Sequence, residues 1–314
     1  MARFLVTGGA GFIGSAVVEA LAARGDSVTA LDLDRSPPLN AVMSRFPAVV
    51  FRAVDLTDPQ RVSRVVQDAN PAAVVHCAAV VGVLNAKVDP ARTFRVNVEG
   101  TLNLLEAMRE AAVRRLVNLS TEEVYGPFEA PIIDETHACA PSGPYGIAKL
   151  AAELLGRDYA ASREMECVHV RTCWVYGPGL ARHRVPKTLI DAALAGRTLR
   201  LPRGGDFRVD HVYIDDCVQG IVKALDKKAH AFDVYHVATG DAPSLAEIVG
   251  IVRELVPGAE LWIGPGNFRW SDSVEAVRKG ALDITRARTE LGYAPRYDIR
   301  AGLAACLEAL RVKA

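Results

Sequence analysis

Apolar residues over the first 171 positions fall into two alternating patterns. Short runs that are apolar almost throughout (Arg3 to Thr7, Ser27 to Asp32, Val49 to Asp55, Ala73 to His76, Arg115 to Ser120 and Cys167 to Arg171) are separated by longer amphipathic stretches. A strand covered on one face alternates, whereas a strand covered on both reads as a continuous apolar run, so these runs predict parallel strands sandwiched between helices. The helical stretches carry start signals. Asp58-Pro59 and Asp89-Pro90 each set an N-cap acid before a proline at the first helical position, and Ser244-Leu245-Ala246-Glu247 is a capping box ahead of an apolar run. Strand and helix repeated in this order predict an α/β fold, a Rossmann-like doubly wound parallel sheet.

After about Arg171 the rhythm changes. Gly-Pro-Gly, Pro-Arg-Gly-Gly and Pro-Gly-Asn interrupt shorter helices, which predicts a smaller C-terminal substrate-binding region packed over the carboxyl ends of the strands. The expected division is a nucleotide-binding unit of residues 1–172 and 209–235 and a substrate-binding region of residues 173–208 and 236–314.

The first strand runs into Thr7-Gly8-Gly9-Ala10-Gly11-Phe12-Ile13-Gly14, and a helical stretch follows from about Phe12 to Arg24. Glycines here permit a tight turn, let the backbone approach a pyrophosphate and bring the helix against the sheet, while the helix amino terminus offers unpaired N–H groups. The second strand ends at Asp32, near the roughly 20-residue spacing of a ribose-binding acid. A carboxylate there accepts hydrogen bonds from a ribose 2′-hydroxyl and repels a 2′-phosphate, so NAD is expected over NADP. Arg35 is either a solvated side chain or a group that softens this preference.

Composition narrows the class of protein. The 314 residues are half apolar, and 37 Lys plus Arg balance 37 Asp plus Glu. This removes the compositional case for disorder or for a nucleic-acid-binding surface. No apolar run approaches the length that spans a bilayer, and the amino-terminal run is too short for a signal peptide, so a cytoplasmic protein without membrane contact is expected. The six cysteines form no Cys-x-x-Cys pair and have no histidine at zinc-ligand spacing; reduced thiols and no metal are expected.

Seven segments in order carry a resemblance. They are Thr7 to Gly14; Asp55-Leu56; His76-Cys77-Ala78-Ala79; Asn97-Val98-Glu99-Gly100-Thr101; Ser120-Thr121-Glu122-Glu123-Val124-Tyr125-Gly126; Tyr145-Gly146-Ile147-Ala148-Lys149; and Val175-Tyr176-Gly177-Pro178. Together they resemble the extended short-chain dehydrogenase/reductases, the NAD-dependent epimerase/dehydratase group acting largely on nucleotide sugars, over nearly the whole chain. The resemblance implies that Gly8, Gly11, Phe12, Ile13, Gly14 and Asp32, with Asp55, Leu56, Ala78 and Ala79 around the adenine and diphosphate, hold NAD, that Lys149 also holds the nicotinamide ribose, and that Asn97 is structural. It further implies a homodimer through helices near Ala91 to Ala112 and Tyr145 to Ser162. Leu102, Leu105 and Met108 lie at helical spacing in the first of these, as an interface or as internal core.

The chemistry of the residues agrees. Ser142-Gly143-Pro144 reads as a helix start, which puts Tyr145 and Lys149 on one face of the opening turns. An ammonium and an oxidised nicotinamide nearby lower a tyrosine's pKa, so that Tyr145 exchanges a proton with a substrate hydroxyl. Thr121, just past a strand, is expected to hydrogen-bond the same oxygen. Glu122 and Glu123 resemble the Asp-Glu acid and base of nucleotide-sugar 4,6-dehydratases, with Glu122 one methylene longer than the aspartate. If the segment stays extended, only one of the two faces the substrate.

The substrate side departs from the resemblance. Trp174 stands where an asparagine often helps bind the diphosphate; Arg182, His183 and Arg184 make the following loop basic; Arg208 matches a diphosphate-binding arginine, and Arg278 is the candidate for a second. His183 and His211 are substrate contacts or ordinary polar residues. An arginine fork suits a phosphate and a sugar-acid carboxylate equally. The leading expectation is a sugar-nucleotide epimerase or 4,6-dehydratase working through a transient 4-keto intermediate. The alternatives are a dehydrogenase of a small polar substrate such as a sugar acid, releasing NADH, and a catalytically silent NAD-binding regulator.

Overall fold

The computed structural model describes residues 1–162, 164–182 and 184–311. Seven strands, β1 (Arg3–Thr7), β2 (Ser27–Asp32), β3 (Val49–Ala53), β4 (Ala73–His76), β5 (Arg115–Thr121), β6 (Glu166–Thr172) and β7 (Val234–Val237), form one sheet. Its order is β7-β6-β5-β4-β1-β2-β3, with every neighbouring pair parallel. Adjacent residues of a strand point to opposite faces, and each face has its own core. Val6, Val75 and Val117 pack with Val17, Val18 and Leu21 of the helix Phe12–Ala23. Their neighbours Leu5, Val74 and Leu116 pack on the other side with Leu104, Leu105 and Met108. Burial on both faces is the reason these strands read as continuous apolar runs.

Strand order reverses between β1 and β4, so the carboxyl ends of these strands flank a crevice, the usual ligand position in such sheets. The helices start where their caps predict. Asp58 accepts the Arg61 N–H at 3.1 Å, Asp89 accepts the Arg92 N–H at 2.9 Å, and Ser244 and Glu247 form the reciprocal capping box. Asp55 lies beyond the end of β3 in a turn, where its carboxylate accepts from the Thr57 N–H and hydroxyl. The expected helix from Ala91 to Ala112 is broken into Pro90–Phe94, a π-turn Arg95–Glu99 and Gly100–Glu110. The π-turn holds buried Asn97, whose side chain accepts the Val80 N–H at 2.7 Å and donates to the Val80 carbonyl at 3.1 Å. It thereby pins the loop that follows β4.

Outside this sheet the chain builds small two-stranded pieces. Trp174–Tyr176 runs beside His211–Tyr213, Leu199–Leu201 beside Leu261–Ile263, and Ile132–Ile133 beside Ala281–Leu282. β7 was not expected from the sequence, and it adds the edge strand of the sheet beside β6. Among the described residues no helix is long and apolar enough to cross a membrane, and no cluster of three or more His, Cys, Asp or Glu side chains could hold a metal ion.

Candidate active site

A cavity of about 400 Å³ opens at the carboxyl ends of β1, β2, β4 and β5. Its cofactor-side wall contains Gly8, Gly11, Phe12, Ile13, Gly14, Asp32, Asp55, Leu56, Ala78 and Ala79. Gly8 has φ +66°, and a Cβ there would lie 2.6 Å from the Ala78 nitrogen; a Cβ on Gly14 would lie 2.0 Å from the Gly8 carbonyl oxygen. These two glycines close the turn. Gly11 instead caps the helix Phe12–Ala23 without any side chain, leaving the first helical N–H groups open to the cavity. Asp32 accepts the Ala10 N–H at 3.0 Å and the Leu33 N–H at 2.8 Å, one on each carboxylate oxygen. Each oxygen keeps a lone pair for a ribose hydroxyl, so a bare helix start, a glycine cradle and a fixed acid fit a dinucleotide.

Under this wall runs a closed polar chain. Thr101 donates its hydroxyl to the Asn97 carbonyl at 2.7 Å, which leaves its oxygen to accept from His76 Nε2 at 3.0 Å. His76 Nδ1 then accepts the Thr7 hydroxyl at 2.6 Å, and Thr7 accepts the Ala78 N–H at 3.3 Å. Burial, with the nearby Lys149 charge, holds His76 down to about 3, so the ring is neutral and serves as a fixed strut.

Catalytic candidates meet on the opposite wall: Thr121, Glu122, Glu123, Tyr145 and Lys149 all line the cavity. Two contacts bring them together. A Cβ on Gly146 would lie 2.4 Å from the Glu123 carbonyl oxygen, so the helix Pro144–Ser162 begins directly against the turn after β5. Two turns on, buried Glu153 accepts the Ser120 hydroxyl at 2.5 Å and pairs with Arg171 at 2.6 Å, tying the same helix to β5 and β6.

The expectation of a lowered Tyr145 pKa is not what the protein's own groups produce. Burial raises the phenol above its ordinary value, opposed by the charges of Arg182 and Arg184 and by a hydrogen bond with Thr121. Lys149 is itself held down to about 8 by burial, against the pull of Glu153.

The segment after β5 does not stay extended. Residues Glu122–Tyr125 make a 3₁₀ turn, so both glutamates reach the cavity. Glu122 is buried with both carboxyl oxygens unpartnered, and burial lifts it to about 8. Glu123 forms an ion pair at 3.3 Å with buried Lys279, whose ammonium also donates to the Gly126 carbonyl at 3.1 Å.

Trp174 lines the cavity, stacked among Phe207, Phe268, Trp270 and His211 with ring centroids 5.3 to 5.9 Å away. The two expected anion-binding arginines lie elsewhere. Arg208 is exposed, paired with Glu247 at 3.1 Å and donating to the Ala242 carbonyl. Its neighbour Val209 is the fully buried one, and along an extended segment that single step sends Arg208 to the outer face. Arg278 donates to the Phe128 carbonyl at 2.5 Å and does not line the cavity; the next residue, Lys279, faces the glutamates. His183 lies outside the described residues, and His211 is buried with Nδ1 on the Val209 carbonyl. Sequence reasoning missed Lys279 and Trp270. Lys279 sits beside a candidate that was named, but no local pattern distinguishes the two.

Known proteins give an independent view. Residues 4–238 match the NAD dependent epimerase/dehydratase family. The chain is 33% identical to a UDP-glucose 4-epimerase of Mycolicibacterium smegmatis over 99% of both chains, and 34% identical to a dTDP-glucose 4,6-dehydratase of Streptomyces griseus over 96% of this chain and 92% of that one. Its fold superposes on a UDP-glucose 4-epimerase of Thermotoga maritima, solved with UDP-glucose, with a TM-score of 0.89 at 29% identity over 99% of both chains. The fold thus coincides with these matches, and the chain belongs to the NAD dependent epimerase/dehydratase family.

Proposed function

We propose that the protein is a redox-neutral nucleotide-sugar 4-epimerase. The observation that carries this reading is the convergence of Thr121, Tyr145 and Lys149 on one cavity with the glycine cradle and Asp32. Gly8 to Gly14, Asp32 and Lys149 would hold NAD, which when bound takes up a hydride from the carbinol carbon and gives it back. Tyr145 accepts the hydroxyl proton as the carbonyl forms and returns it when the alcohol is remade, with Thr121 fixing the oxygen between them. Arg182 and Arg184 supply the positive charge that favours the Tyr145 phenolate. Glu123 is engaged with Lys279, which leaves the proton traffic to Tyr145.

A specific observation favours a second reading. Buried Glu122, kept protonated by burial, stands beside Glu123, whose carboxylate pairs with Lys279 at 3.3 Å, and two adjacent carboxyl groups in such different surroundings are the arrangement a 4,6-dehydratase needs. The NAD-loaded protein, incubated with UDP-glucose and dTDP-glucose and followed by chromatography and NADH absorbance, separates the possibilities. A 4-epimer without accumulated NADH is the expected result. A 4-keto-6-deoxy product supports the dehydratase, and steady NADH release supports a dehydrogenase.

The reading extends to assembly. Leu105 and Met108 are internal core, but Leu102 at 38%, Ile147 at 43% and Leu154 at 52% exposure lie on the two helices expected to pair subunits. This supports a homodimer, and a monomer by light scattering at micromolar concentration would refute it. The division into residues 1–172 with 209–235 and 173–208 with 236–314, and a cytoplasmic location for a chain whose six cysteines are unpaired, are proposed on the same footing.

A further inference from the structure

The substrate end of the cavity holds a charge without a partner. Arg184 lines it, and its guanidinium lies 4.7 Å from the Trp174 ring centroid and 5.5 Å from that of Trp270. Among the described residues this guanidinium makes no hydrogen bond or ion pair, and its Nη1 is buried with no partner. Burial holds Arg184 down to about 10, which still leaves it charged at neutral pH. A buried, unpaired guanidinium is costly unless something else supplies the acceptor.

Among the described residues no acid does so. Glu123 acts on Arg184 electrostatically but makes its ion pair with Lys279, at 3.3 Å. Glu122 stands within electrostatic reach of Arg184, but burial keeps it protonated, so at neutral pH it offers an O–H donor rather than a second anion. Arg184 and Glu122 therefore present donors to the same space. A hydroxymethyl group brings one oxygen and no charge. A carboxylate brings two acceptor oxygens and the missing charge, and its planar pair matches the guanidinium fork. Arg184 and Tyr145 line the same cavity, so the site and the catalytic wall share one space.

We propose that Arg184, braced on Trp174 and Trp270, and Glu122 form a carboxylate-recognition site next to Tyr145, so that the preferred substrate is a uronic-acid nucleotide sugar rather than the neutral hexose. The proposal rests on the nucleotide-sugar reading above. Trp174 and Trp270 act as the stacking platform that orients the fork. Arg184 thereby takes the part assigned from sequence to Arg208 and Arg278, at a different point of the substrate.

UDP-glucose and UDP-glucuronate differ only in the oxidation of C6, which makes them the matched probes. With NAD-loaded wild-type protein, kcat/KM for UDP-glucuronate is expected to exceed that for UDP-glucose by 10-fold or more, roughly the value of one desolvated charge-assisted contact. Arg184→Gln should lower the ratio of the two kcat/KM values by roughly 30-fold. Arg184→Lys, which keeps the charge but not the fork, should lower it less. A merely structural role would depress both substrates and leave the ratio unmoved. A wild-type preference for UDP-glucose overturns the proposal. So does an equal loss for both substrates in Arg184→Gln, since that would put the arginine on the diphosphate. If neither nucleotide sugar is converted, the nucleotide-sugar reading fails, and the free acids decide the carboxylate site. NADH formed with glucuronate and not with glucose upholds it, and no response to either uronate overturns it.

Discussion

The two ends of the cavity satisfy their polar groups in opposite ways. At the cofactor end almost every group is already partnered within the chain. Asp32 is fixed by the Ala10 and Leu33 N–H groups, and the Thr7, His76 and Thr101 side chains close on one another and on the Asn97 carbonyl. At the substrate end, among the described residues, Glu122 has two unpartnered oxygens, Arg184 an unpartnered Nη1 and His211 an unpartnered Nε2, set among aromatic walls. The first end is a rigid mould whose ligand meets backbone N–H groups and a pre-fixed carboxylate. The second end stores unmet hydrogen-bonding capacity, so its free energy is recovered only with the right ligand, which is how specificity arises. Tyr145 stands between them and belongs to both.

That boundary position sets the largest expected effect. Tyr145→Phe keeps the ring and removes the proton acceptor, so kcat should fall by about 10³-fold or more while calorimetric NAD affinity holds. Retained turnover would remove Tyr145 from the mechanism. Gly14→Ala attacks the mould itself. With the Gly8 carbonyl oxygen only 2.0 Å from the added Cβ, the turn must open, and a loss on the order of 3 kcal/mol in denaturant stability, together with lost NAD binding, is expected. Wild-type stability would show that the cradle is adaptable.

Lys149 tests the exception at the cofactor end, a buried ammonium with no hydrogen bond among the described residues. The unfolded chain holds this proton to its ordinary value, whereas the folded protein releases it near pH 8. Stability from this group therefore rises as pH climbs from about 8 towards 10.5, and the penalty is fully present at pH 7. Lys149→Met should be inactive yet more stable at pH 7, by up to roughly 3 kcal/mol, with the difference shrinking by pH 10. Equal denaturation midpoints at pH 7 would mean that the ammonium is solvated. Asp32→Ala should weaken NAD by about 10- to 100-fold and NADP by less, because a charge-assisted pair to the ribose is lost only for NAD. Equal losses by calorimetry would detach Asp32 from cofactor choice. The smallest effect is expected for Glu123→Gln. If the protein epimerises, turnover should change only a few-fold; stalled product with NADH accumulating would move the chemistry to elimination and give Glu123 the base role.

The two ends also differ in how far the sequence exposed them. The strands β1 to β6, the caps at Asp58, Asp89 and Ser244, the glycine turn, Asp32, and the Tyr145 to Lys149 spacing were legible because each depends on neighbours within a few residues. β7 was not, since four residues at the sheet edge carry too little pattern to separate a strand from a loop. Nor was the π-turn at Asn97, whose driving contact is with Val80 in a separate loop.

For the substrate side, sequence alone determined that arginines and aromatics stood in the right stretches of chain. Only the tertiary structure decided which of them face the cavity. A one-residue step in an extended segment turned Arg208 outward and Val209 inward, and the same step set Lys279 rather than Arg278 against Glu123. A 3₁₀ turn brought Glu122 and Glu123 to one space, and Trp270, distant in the chain, joined Trp174 and Arg184 in a single stack. Which way a side chain points is fixed by backbone register and long-range packing, and neither is encoded in the identity of the residue itself.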